Sequence, residues 1–201
     1  PKFMFELWLT NFIGILIISV IGMMIFTYIT KKYSRRINVS AEIELWSLKR
    51  FAISPSEYMK RPFYIGIILP IIITIFSNGF IPVATPLQNK LSYKMSHRIG
   101  KEYHRLTEFE TAKISAMPSL VLTIFPLFLI AILPDALGGK FAKVFLVIAL
   151  SNMMPFPNLN GLVTYFGSRL LFYFSIIFII LMVILVWYLN TILTLAVALF
   201  L

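Results

Sequence analysis

The chain has 201 residues, 59% hydrophobic, 13% charged and none of them cysteine, with a mean hydropathy of +0.89. Soluble domains are roughly half apolar and about a quarter charged, so lipid is the solvent for most of this chain, and the missing thiol excludes disulfides, thiolate metal sites and cysteine nucleophiles. The net charge of +10 sits beside apolar runs, with eight of 18 basic residues between Lys31 and Arg61 and five between Lys90 and Arg105; that placement reads as membrane topology and excludes nucleic acid as a partner.

Five uncharged runs, Leu7–Thr30, Pro62–Asn89, Ile114–Pro134, Val144–Ser168 and Leu170–Leu201, each reach the roughly 20 residues that a spanning helix needs. With Pro1 in first place, an initiator methionine or short leader is expected to be missing. The first run exceeds a signal-peptide core and is read as a retained anchor helix over 7–30. A basic surface segment, 31–61, follows. Its stretch Ala41-Glu42-Ile43-Glu44-Leu45 alternates polar and apolar residues before Trp46, which suits either a short surface strand or hairpin or an amphipathic interfacial loop.

The run 62–89 contains Gly66, Pro70, Gly79, Pro82 and Pro86. Repeated loss of backbone donors predicts a broken or re-entrant segment, turning near Ser77-Asn78-Gly79. A basic loop spans 90–106. Thr107-Glu108-Phe109-Glu110 matches a capping box, in which Thr107 and Glu110 each satisfy the other's amide, and opens a helix over 107–134 bent at Pro118 and Pro126. Asp135–Gly139 reads as a tight loop, followed by a short helix, 140–154, and a motif loop, 155–161. The helical run 162–201 is either one long helix or two broken near Asn190. Trp8, Trp46, Tyr64 and Trp187 suit interfacial belts. The expected fold is an all-α polytopic membrane domain of about five or six transmembrane or re-entrant segments, with room for a small surface β-hairpin.

Few residues offer chemistry. His97 and His104 lie seven apart, roughly 10 Å along a helix, too far to share a zinc ion from one continuous helix. No HExxH motif or Walker-type glycine loop occurs, and all eight carboxylates lie outside the apolar runs, which weighs against proton-coupled transport.

One stretch is more specific. Asn152-Met153-Met154-Pro155-Phe156-Pro157-Asn158-Leu159-Asn160-Gly161 resembles the N-x-x-P-x-P-x-L-D-G motif of the site-2 protease family of intramembrane zinc metalloproteases. Ala116-Met117-Pro118 is similar to that family's alanine–glycine–proline segment, Glu42-Ile43-Glu44-Leu45-Trp46 to a strand of archaeal members, and Gly167-Ser168-Arg169 to a G-S-R that follows the motif. The resemblance implies that position 160 holds the third zinc ligand, an aspartate, while an HExxH helix supplies two histidines and the catalytic glutamate. Here the position is Asn160, and the segment between Tyr58 and Lys94 has no histidine. A neutral amide is a far poorer zinc partner than a carboxylate. The resemblance therefore implies a degenerate, archaeal-like member without metal, cofactor or catalytic residues.

The expected function is that of a non-catalytic membrane scaffold or subunit in the cell membrane, binding other membrane proteins or transmembrane peptides, with segments 31–61 and 90–106 cytoplasmic. Candidate groove residues are Asn152, Pro155, Pro157, Asn158, Asn160 and Gly161, although asparagine and proline also break helices and glue them together without any ligand. Two rivals stand beside this reading: an active intramembrane metalloprotease with unrecognised ligands, and a transporter, channel or other complex subunit suggested by the broken helices.

Overall fold

The computed structural model describes residues 5–37, 39–50, 58–78, 82–84, 86–93, 106–132 and 135–200. Helix α1, Phe5–Arg36, begins the order. It continues six residues beyond the expected end at Thr30, and along this stretch Thr30 and Ser34 donate their hydroxyls to the carbonyls of Phe26 and Thr30. Arg35 and Arg36 also suit the negative end of the helix dipole.

Strand β1, Val39–Leu45, comes next, followed by β2, Leu48–Arg50, and β3, Tyr58–Phe63. Helix α2, Ile65–Phe76, ends at Ser77, with Asn78 at φ 50°. Gly79, the third residue of the expected turn, lies outside the described residues. The chain comes back as strand β4, Leu87–Tyr93. β1 pairs with β4 in antiparallel register, Glu42 opposite Lys90 and Leu45 opposite Leu87, while β2 pairs with β3. The expected short strand is present as β1, but it makes no local hairpin: it takes a partner nearly 50 residues away, in one of two small two-stranded sheets. Cross-strand chemistry favours that choice. Lys90 Nζ lies 3.2 Å from Glu44 Oε1, and Gln88 Nε2 donates to Glu44 Oε2, whereas Val39, Ala41 and Leu87 on the other face are buried.

Helix α3, Glu108–Ile132, starts from the capping box read in the sequence. The Thr107 amide donates to Glu110 Oε2 at 3.0 Å, and the Glu110 amide to Thr107 Oγ1 at 3.3 Å. It remains helical through Pro118 and Pro126. Helix α4 is Asp135–Asn152, so the expected loop Asp135–Gly139 already belongs to it. Helix α5, Asn160–Gly167, and helix α6, Arg169–Phe200, are separated at Ser168, which is extended. Of the two alternatives for the run 162–201, α6 shows no break at Asn190; the interruption lies at Ser168. The Ser168 hydroxyl accepts from the Leu171 amide and so supplies an N-cap for α6.

Three helices among the described residues are long and apolar enough to cross a membrane: Leu9–Arg36, Glu108–Ile130 and Arg169–Leu189. That is fewer than the five or six segments expected. The remainder of the apolar sequence is divided into helices α2, α4 and α5 of 12, 18 and 8 residues, the longest of which, α4, is interrupted by Lys140 and Lys143. The core packs Phe26 of α1, Phe145 and Ile148 of α4, Met153, and Phe172 and Ile179 of α6. Between helices in lipid the driving force is close packing. Gly22 accordingly faces α4, where a Cβ would stand 2.8 Å from Ile148 Cδ1.

Candidate functional site

Helix α4 stops where Pro155 follows it, since proline cannot continue the hydrogen-bond ladder. The chain then turns tightly: the Phe156 amide donates to the Met154 carbonyl, the Leu159 amide to that of Phe156, and Asn158 takes φ 64°. Asparagine tolerates this left-handed conformation better than most residues. Helix α5 starts immediately afterwards. Gly161 lies so close to the preceding turn that a Cβ there would meet the carbonyl oxygens of Met153 and Met154. This glycine is required by backbone proximity, whatever else the motif does.

The turn separates the expected groove residues into two sets. Pro155, Pro157 and Asn158 are exposed. Asn152 and Asn160 are buried, at 0% and 1% exposure, together with Gly161. Both asparagines reach strand β4. Asn152 Oδ1 accepts from the Leu87 amide at 2.8 Å, while its Nδ2 donates to the Ile148 carbonyl. Asn160 Oδ1 accepts from the Asn89 amide at 3.2 Å, and its Nδ2 donates to the Leu87 carbonyl at 3.1 Å. The partners fix the amide orientation, because a peptide N–H can only donate and a carbonyl can only accept. Ser151 Oγ extends the row by accepting from the Ala84 amide.

In an antiparallel strand, residues i and i+2 turn their peptide groups to the same edge. Leu87 and Asn89 therefore offer one edge to the asparagines, while β4 pairs with β1 along the other. Side-chain amides here replace a third strand. A second contact ties the turn to β1: the Trp46 indole donates to the Pro157 carbonyl at 2.8 Å and stacks on Phe156 at 5.6 Å between centroids. The Asn89 side chain contrasts with its backbone, as both atoms of its amide are buried without a hydrogen-bond partner.

No family model, curated protein or solved structure matches the chain.

The residues therefore speak for themselves on metal chemistry. Asn160, which the resembling motif would make a ligand, has each polar atom engaged by a peptide group. Among the described residues, no group of three or more His, Cys, Asp or Glu side chains is placed to hold a metal ion. The site does not fit zinc. His97 and His104 lie outside the described residues.

Beside the clamp, an open cavity of ≈ 560 Å³ lies between α1 and the sheet. Val20, Met23, Met24, Thr27, Tyr28 and Lys31 line it from α1, and Ile43, Glu44, Leu45 and Leu87 from β1 and β4. Sequence reasoning identified the asparagines but missed Ser151, the peptide groups of Leu87 and Asn89, the Trp46 anchor and this cavity. One signal was available for the clamp: Gln88 and Asn89 are unusually polar for the end of an apolar run.

Proposed function

We propose that the chain is a non-catalytic, site-2-protease-like integral membrane protein, acting as a scaffold or subunit that engages a membrane helix or an extended peptide. One observation carries the reading: Asn160, at the position of the motif's metal-binding aspartate, spends both atoms of its amide on the backbone of β4. A buried carboxylate needs a cation or donors, whereas an amide matches the alternating donor and acceptor of a strand edge. The substitution thus exchanges ion binding for strand binding. The strand bound here is the chain's own β4, with β1 on its other edge, an internal counterpart of the main-chain recognition that strand-addition grooves apply to peptides.

In the same reading, α2 forms a re-entrant piece, α4 and α5 complete about five or six membrane segments, and the basic stretches 31–61 and 90–106 face the cytoplasm across the plasma membrane. The interior would hold no resident cofactor, and the partners would be lipid and other membrane proteins.

The test is to purify the full chain, equilibrate it with zinc, remove free metal and measure retained zinc, in parallel with cleavage of a membrane-helix reporter. The expected result is sub-stoichiometric zinc, identical in wild type and Asn160→Ala, with no cleavage. One zinc per chain that disappears in Asn160→Ala, or reporter cleavage lost in that variant, would overturn the proposal. Photo-cross-linking from Asn158, on the exposed turn, is expected to trap a membrane polypeptide above the level seen from Ile177 on α6.

A further inference from the structure

The cavity beside α1 has a direction. Along α1, Val20, Met23 and Met24 line its apolar stretch, Thr27 and Tyr28 follow one turn further on with hydroxyl groups, and Lys31 is the last lining residue of the helix. Lys32, Arg35 and Arg36 follow on the last turns of the helix, and Lys32 sits 5.6 Å above the Tyr28 ring. This succession of hydrocarbon, hydroxyl and cation is the polarity profile of a phospholipid from its chains to its phosphate.

Length supports the match. From Val20 to Lys31 the helix rises about 16 Å, against a single leaflet of roughly 15 Å, half the bilayer's hydrocarbon core. A transmembrane helix would need both leaflets and a channel about 10 Å wide. The volume of ≈ 560 Å³ lies within the range of small-ligand sites, roughly 300–1,000 Å³. Met24 and Tyr28 are 65% and 63% exposed, so the groove opens sideways, as entry from a bilayer requires. Two methionines give a lining that adapts to a mobile chain. Glu44 is the one acid in the lining, and its carboxylate is held by Lys90 and Gln88, which offsets its repulsion of a phosphate.

We infer that this groove binds an anionic bilayer phospholipid, with one acyl chain laid along Val20–Met24 and the phosphate at Lys31. The groove borders the asparagine clamp through Leu87, but the inference does not depend on the function proposed above.

To test it, the full chain is reconstituted in vesicles of equimolar phosphatidylcholine and phosphatidylglycerol, extracted in mild detergent and weighed by native mass spectrometry. Wild type is expected to retain phosphatidylglycerol in preference to phosphatidylcholine. Lys31→Gln should keep a lipid but lose that preference about five-fold, the effect of one basic residue at a membrane surface. Met24→Trp and Val20→Phe, which fill the groove at two depths, should lose the retained lipid, while Ile177→Trp on the exposed face of α6 behaves as wild type; gel-filtration profiles identify any variant that fails to fold. The inference is overturned if wild type retains no lipid, if it retains both lipids equally, or if folded groove-filling variants retain as much as wild type. A photo-cross-linker at Met24 that labels a polypeptide and not a lipid would overturn it in favour of helix docking.

Discussion

Asn160 donates to one peptide group of β4 and accepts from another two residues along, so its removal orphans a buried acceptor and a donor together. An unsatisfied buried group costs about 1–3 kcal/mol. Asn160→Ala is therefore expected to destabilise the protein by about that amount per orphaned group, read as a lower thermal transition in detergent. Asn160→Asp, a near-isosteric carboxylate, is expected to be no better. Its carboxylate can still accept from Asn89, but it turns an oxygen toward the Leu87 carbonyl in place of a donor and buries a charge. A transition in Asn160→Asp equal to wild type would remove the basis of the clamp. Gly161→Ala should fail more severely, because a Cβ meets backbone and not a flexible side chain; expression yield of folded protein is the measure. At neighbouring Asn158, φ is 64° but the side chain is exposed, so Asn158→Gly should leave the same transition nearly unchanged.

At the scale of elements, the least expected feature is the partnership of β1 with β4. Because the native sequence has no cysteine, the register can be tested against a clean background. Glu42→Cys with Lys90→Cys places two thiols directly opposite, within the separation a disulfide spans, and oxidation should give a cross-linked product on denaturing gels after cleavage of the intervening loop. Glu42→Cys with Arg50→Cys, which would meet in a local hairpin, should not. Local signals were legible where the deciding atoms are neighbours in sequence. The Thr107–Glu110 box is such a case, and Thr107→Ala is expected to cost about 1 kcal/mol through loss of a cap, seen in the unfolding transition. Ser168 was equally local, with Gly167 before it and a free hydroxyl to cap α6, but the uniform hydrophobicity of the run masked the signal. The extension of α4 back to Asp135 was hidden by Gly138 and Gly139, both buried in the folded chain, whose poor helix propensity packing overrides.

Across the whole molecule, contacts order the helix ends. Lys140 at the start of α4 donates to Asn11 near the start of α1, while Glu108 of α3 and Gly167 before α6 meet backbone to side at the opposite end. α1 therefore runs against α3 and α6, and Arg36, Glu108 and Arg169 gather at one membrane face. Single cysteines at Arg36 and Arg169 are expected to react with an impermeant thiol reagent from the same side, and one at Asn11 only from the other; labelling of all three from one side would refute this arrangement. α3 is the most enclosed of the three long helices, with 44% of its apolar window buried against 17% for α1, and its inner face carries Ala112, Ser115, Ala116 and Ser119. Small residues allow close approach in a setting where apolar surface alone gives little driving force between helices.

Composition and charge placement by themselves determined that this chain suits a lipid environment, that a capping box opens the helix after Thr107, and that position 160 carries a neutral amide. Those properties belong to single residues or to neighbours within a turn, so no knowledge of the fold is needed to read them. Only the tertiary structure decided what Asn152 and Asn160 hold, which strand β1 joins, and that α1 leaves a groove beside the sheet. The first two depend on peptide groups brought together across roughly 50 to 70 residues, and a backbone edge carries no mark in the sequence of the side chain that will satisfy it.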